Sequence, residues 1–349
     1  MSSDNGRKMH LELLRVLAVY LVILTHTGKR GYTFFTTLEP SFEYFLAMLV
    51  PIICNIAVPL FYMISGATLM GKDETPEYVL IRRLPRYLWV LLLASALMYV
   101  YYGIAHHGEL SVREFFQTVY SRNIIVPYWF LYSYIGFLLL LPFLRRLIRG
   151  LTDREWHYLL ILYVIFKGVV PILQYWLFRG SLTLNTSFNI TMVTGDILIY
   201  PALGCYLERR CMSVKNLGLL WLCAFAAVFV TAYMTHYKIV QTGQVDEGQV
   251  GTFYKSLCIF PAAAVFASAK KLARMPKWIE KAIFAMGGCT FGVYLIEQIL
   301  REQGYPLCDR LSQFMPPLTA TFIYTAVVSM VSMGIVWLLK LIPGVHKLI

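Results

Sequence analysis

In the run "LELLRVLAVYLVILTH" (residues 11–26) two residues do not belong to a purely apolar helix, Arg15 and His26. At about 100° per residue, their spacing amounts to three helical turns plus roughly 20°, so both side chains share one face. Along the axis they lie roughly 16 Å apart. An imidazole can take a proton from a hydroxyl or carry a transferred group, and a carboxylate partner fixes its tautomer. A guanidinium matches phosphate geometry and would hold a polyanionic donor. One stripe on one helix therefore joins an anion site to a base, with room for a long thin donor arm between them. The structural alternative is that Arg15 reaches to the headgroups and His26 marks an interface. Ionisable residues inside apolar spans are functional candidates by default.

Other charges can be arranged around this stripe. Glu43, Asp196 and Glu297 each fall near the same end of their apolar segments as His26, so four ionisable groups are expected at about one depth. Arg82, Arg83 and Arg86 open the third segment near the level of Arg15. The expected layout is a basic vestibule at one end and a His/carboxylate layer at the other. Asp196 and Lys167 are expected to pair with each other so that both can be buried.

The elements that must position these groups follow from composition. Apolar residues make up 58% of the chain and charged ones 14%, and mean hydropathy is +0.61. A soluble domain carries about a quarter charged residues. Several stretches hold around 20 mostly apolar residues, the length that crosses a bilayer. A transmembrane barrel would show short alternating segments instead. The fold class is therefore an all-α integral membrane protein. Ten spans are expected near 10–28, 43–70, 82–104, 127–147, 156–178, 190–207, 217–236, 252–270, 281–300 and 318–342. The second contains Pro51 and Pro59 and is expected to kink. Residues 1–349 read as one transmembrane domain with no appended soluble domain. Arg7 and Lys8 precede a first run without a small-residue cleavage site, so that run is expected to be retained.

The net charge of +12 fits a membrane protein that keeps its basic residues in cytoplasmic loops, and no nucleic-acid partner is expected. With the N-terminus inside, 20 Lys and Arg fall on the cytoplasmic side and 9 on the other, leaving Arg15 and Lys167 within spans. Both termini are thus expected in the cytoplasm, with Arg15 towards the inner end of its helix and His26 towards the outer. The seven cysteines are scattered, without a CxxC pair or Cys/His ligand spacing, so neither a disulfide framework nor a metal site is expected.

Several stretches carry a resemblance when taken in order. The first span reads Glu12, then Arg15, ten residues, then His26. The second closes in "LFYMISG" (60–66). "RRLPRYLW" (82–89) contains an Arg-x-x-Arg pair, Arg83 and Arg86. "YWFLYSYIGFLLLLP" (128–142) carries Trp129, and "PALGCYLERR" (201–210) and "TFGVYLIE" (290–297) follow. In this order the chain resembles the membrane-bound acyltransferase family 3, the surface-polysaccharide O-acyltransferases. The resemblance covers nearly the whole chain. It implies an acyl-CoA co-substrate, usually acetyl-CoA, taken from the cytoplasm, with no permanently bound cofactor. It implies a glycan or glycolipid hydroxyl as acceptor and residence in the cell's inner or plasma membrane among its lipids. Arg15, Arg83 and Arg86 would hold the CoA phosphates, and His26 would be base or acyl carrier. Glu297 and Glu43 are candidate orienting carboxylates, and Trp129 and Tyr294 are expected to shape the site. Many relatives close "TFGVYLIE" with His, where this chain has Glu297. A carboxylate can partner His26 but is the weaker base at its usual pKa. Some members also append an extracytoplasmic esterase-like domain; without one, this chain would acylate alone or with a partner protein.

Two other functions fit the same charges: a transporter or exporter of a small molecule or polysaccharide, and a non-catalytic subunit of an envelope complex. Further signals are minor. Asn185-Thr186-Ser187 and Asn189-Ile190-Thr191 match the glycosylation pattern by chance-level frequency. His106-His107 beside Glu109 reads as a solvated loop. Ser65-Gly66 lacks the glycine pattern of a nucleophile elbow and is expected to serve close helix packing.

Overall fold

The computed structural model describes residues 7–105, 108, 110–185, 187–188, 190, 194–243, 251–272 and 275–348. His106, His107 and Glu109 lie outside the described residues, as do Thr186, Asn189 and Thr191 of the two glycosylation patterns. The chain is 81% helical, with no strand among the described residues. Helix starts follow the caps written in the sequence. Ser41, Ser111, Thr152 and Ser213 each accept the backbone N–H three residues on, and Thr152 and Glu155 form a reciprocal box. Short hydroxyl side chains do this because the first helical N–H groups have no partner in the helix.

In chain order the helices are α1 (Met9–Thr25), α2 (Phe42–Cys54), α3 (Ala57–Leu69), α4 (Pro76–Ala105), α5 (Val112–Ser121), α6 (Trp129–Gly150) and α7 (Asp153–Phe178). They continue as α8 (Asp196–Arg209), α9 (Val214–Thr242), α10 (Ile259–Lys271), α11 (Lys277–Leu311) and α12 (Pro317–Leu339). Seven helical segments are long and apolar enough to cross a membrane: 42–69, 76–105, 126–150, 153–178, 214–242, 277–311 and 317–339. The other three expected spans form shorter helices. α1, α8 and α10 have 17, 14 and 13 residues. These short helices are the interior of the bundle. Ala18 and Ile23 of α1, Ile199 and Ala202 of α8, and Ala262 and Phe266 of α10 are all fully buried. The long helices carry the exposed apolar side chains that suit a lipid environment, among them Trp89, Phe143, Phe225, Phe229 and Trp337.

The expected kink in the second span is a two-residue interruption at Asn55-Ile56, between α2 and α3, where the backbone keeps right-handed dihedrals but the regular helix lapses. Pro51 and Pro59 have no N–H to donate, which frees carbonyls one turn earlier. The Asn55 side chain braces the turn by donating to the Pro51 carbonyl at 2.8 Å, which also accepts the Asn55 backbone N–H, and to the Tyr32 hydroxyl at 3.0 Å. Beyond the break α3 crosses α8 backbone to backbone. A methyl group on Gly66 would lie 1.8 Å from the Pro201 carbonyl oxygen, and one on Gly204 would lie 2.0 Å from that of Met63. Gly66 thus serves close helix packing, as its sequence context indicates. This contact pins α3 and leaves room around the break.

Candidate active site

That room is a cavity of about 550 Å³. It follows one face of α1, because Arg15 and His26 both line it. Arg83 from α4, Trp129 from α6, and Tyr294 from α11 complete it together with Asp196, Asn55 and Lys255. Arg15 and His26 are separated by roughly 16 Å of helix, so the cavity connects two chemically different ends.

At one end His26 caps α1, where the backbone turns out of the helix (φ −92°, ψ 9°). The following turn depends on Gly28, whose φ of +56° disfavours any side chain. The His26 Nδ1 lies 3.3 Å from Glu297 Oε1. Glu297 is fully buried on α11, and its Oε2 takes the Arg301 Nε at 3.0 Å. Arg301 is also buried, and its Nη1 donates to the His26 carbonyl at 2.7 Å. The Tyr305 hydroxyl donates to the same carbonyl at 3.1 Å, and Arg301 further engages Tyr305 and Gln298. One arginine thus neutralises the carboxylate and holds the turn carrying the imidazole. The two atoms are at ion-pair distance without forming a hydrogen bond; a carboxylate this close to Nδ1 favours the tautomer with its proton there, which leaves Nε2 to accept one.

At the other end each cavity arginine is gripped by a carboxylate. Arg15 pairs with the buried Glu12, which also takes Arg7 at 2.8 Å. Glu12 itself fits because Gly287 has no side chain; a methyl group there would meet its carboxylate. Arg83 closes a π-helical turn at Val79–Arg83, and such turns re-aim side chains out of the regular register. Its fork is held by Glu74, with Nε to Oε2 at 2.8 Å. Arg145, 3% exposed, donates to Glu74 Oε2 at 2.8 Å and to the Leu69 carbonyl at 3.0 Å.

The Glu74 carboxyl lies in the α3–α4 loop. The hydrogen bond from Arg83 comes first among the causes that hold it down at about 2, and that from Arg145 adds to it. Because the folded value is lower than the ordinary one, its stabilisation is complete above about pH 4.5 and is lost as pH falls towards 2. Glu74→Gln is therefore expected to lower stability at pH 7 by about 3 kcal/mol, since it strands the buried Arg145 charge. A thermal melt in detergent checks this: the gap between wild type and variant should persist from pH 7 to 5 and narrow at lower pH. Equal melting points at pH 7 would show that the cluster adds nothing.

A family model described as an acyltransferase domain, acyltransferase family 3, matches residues 10–341. The chain belongs to acyltransferase family 3. No curated protein and no solved structure matches it.

In this family 3 acyltransferase the residues singled out from sequence separate into two groups. Arg15, His26, Arg83, Trp129 and Tyr294 line the one cavity, and Glu297 stands directly behind His26. Glu43 and Arg86 do not line it. Glu43 is exposed in the first turn of α2. Arg86 is exposed, and its guanidinium is taken up by the C-terminal segment, donating to the Leu348 carbonyl at 3.1 Å. Asp196 pairs with Lys167 at 3.8 Å as expected, but neither is buried, each side chain being about one-third exposed, and Asp196 also lines the cavity. Arg301, Arg145 and Glu74 are not among the residues singled out from sequence. The four-residue step from Glu297 to Arg301 on one helix was the available signal. Tyr294 and Tyr128 fix the site's other wall, donating to the Pro127 and Leu295 carbonyls at 2.6 and 2.8 Å. Among the described residues no group of three or more His, Cys, Asp or Glu is placed to hold a metal ion.

Proposed function

We propose that this acyltransferase moves an acyl group, acetyl in the first instance, from acyl-CoA to a hydroxyl of a cell-envelope or exported glycan. The observation that carries this reading is that Arg15, Arg83 and His26 line a single cavity. A CoA donor has phosphates at one end and a thioester at the other, joined by a long thin arm. Arg15 and Arg83 would take the phosphates as charge-assisted hydrogen bonds, and the arm would lie along α1 towards His26. The bias of Lys and Arg puts the Arg15 end in the cytoplasm, where the donor would enter, and His26 towards the outer face of the inner or plasma membrane.

In the transfer itself His26 Nε2 takes the proton of the acceptor hydroxyl as its oxygen attacks the thioester carbonyl. The tetrahedral adduct collapses, the carbon–sulfur bond breaks, and the CoA thiolate leaves with the proton held by the imidazolium. Glu297 stabilises that imidazolium, and Arg301 holds Glu297 in place. Purified protein with labelled acetyl-CoA tests the reading through CoA release. Arg15→Ala is expected to raise the acetyl-CoA KM about 10–100-fold, the loss of one or two charge-assisted hydrogen bonds, with a smaller change in kcat. If folded wild-type protein neither binds nor consumes several acyl-CoA donors, the reading fails and substrate-flux assays for transport become the appropriate measurement.

A further inference from the structure

Exposed Trp129 and Lys255 line one mouth of the cavity that also holds His26, and the chemistry there names what it selects. We infer that this mouth is an acceptor subsite for a sugar residue bearing a carboxylate, an inference that rests on the acyl-CoA-to-glycan reading above. Trp129 stands at the mouth with 39% of its surface exposed, and the Lys255 ammonium lies 5.7 Å from its ring centroid. Both line the cavity, with Asn55 and Asp196 alongside. A flat aromatic face takes the C–H face of a pyranose, and amide and carboxylate groups bond its hydroxyls.

The charges at this mouth do not cancel. Asp196 is already engaged by the Tyr163 hydroxyl at 3.0 Å and by Lys167 at 3.8 Å. Lys255 is exposed, and among the described residues no carboxylate comes within the 4.0 Å of an ion pair with it. The surplus is therefore one ammonium poised over an aromatic platform, a few ångströms from where a stacked sugar would sit. A single ammonium suits a monovalent carboxylate. A phosphate dianion is better served by a guanidinium fork, which this mouth lacks. A uronic acid stacked on Trp129 would place its carboxylate against Lys255 and leave its ring hydroxyls towards Asp196, Asn55 and His26.

The test compares two acceptors that differ only at one carbon, octyl β-glucoside and octyl β-glucuronide, with acetyl-CoA as donor. The wild type should favour the glucuronide by about tenfold or more in kcat/KM, and added salt should narrow that ratio. Lys255→Gln should bring the ratio close to one, and Lys255→Glu should reverse it. Trp129→Ala should raise KM for both acceptors. Transfer to the two glycosides at equal rates, or an undiminished preference in Lys255→Gln, overturns the inference and leaves the acyltransfer reading standing. Failure to consume acetyl-CoA with either glycoside overturns both.

Discussion

His26→Ala is expected to lower acyl transfer by about 10³-fold, within the range that a positioned general base supplies. The argument is geometric. His26 is the cavity residue whose ring nitrogen faces a buried carboxylate, at 3.3 Å, and its other nitrogen is left to meet the acceptor hydroxyl. The variant should remain folded, because the bonds that hold the turn go to the backbone carbonyl of residue 26 and not to its ring. Glu297 also keeps Arg301. Size-exclusion profile and melting point should thus match the wild type while CoA release with acceptor nearly disappears. A variant of normal activity would remove His26 from the mechanism.

The second large effect concerns stability. Arg301→Met should destabilise the protein by about 3–5 kcal/mol, the usual consequence of leaving one member of a buried ion pair alone. Glu297 would be the stranded member, since it is fully buried and Arg301 is its guanidinium partner. The His26 carbonyl would lose a 2.7 Å donor at the same time. The double variant Arg301→Met/Glu297→Gln should recover a large part of the lost stability, because the uncompensated charge is gone. Its activity should stay low, since a neutral amide no longer stabilises the imidazolium. Equal melting points for wild type and Arg301→Met would show that Arg301 does not hold the carboxylate. Recovery of activity together with stability in the double variant would show that Glu297 acts only in folding.

Local periodicity determined a good part of this protein. Arg15 and His26 share a face because helical geometry fixes it within a single segment, and the structure lines one cavity with both. Apolar content and segment length identified a multi-pass helical membrane protein. The order of short motifs placed it in its family, which the match over residues 10–341 shows. Pro51 and Pro59 announced a disturbed second span, because a missing N–H is a property of the residue itself.

Choices between equivalent residues were decided only by the tertiary structure. Glu43 and Glu297 looked alike as partners for His26, yet α11 brings Glu297 behind the ring, while Glu43 stays exposed. Depth along a helix is a one-dimensional property that hydropathy can estimate. The direction a side chain faces depends on how helices pack, and that requires contacts between segments hundreds of residues apart. The same reason separates Arg83 from Arg86, and it turns Arg145 from an apparent surface cation into the buried anchor of Glu74. Hydropathy also cannot distinguish an apolar helix buried in protein from one facing lipid. That is why α1, α8 and α10 read as spans like the rest, yet fold as short interior helices, two of which, α1 and α8, line the site.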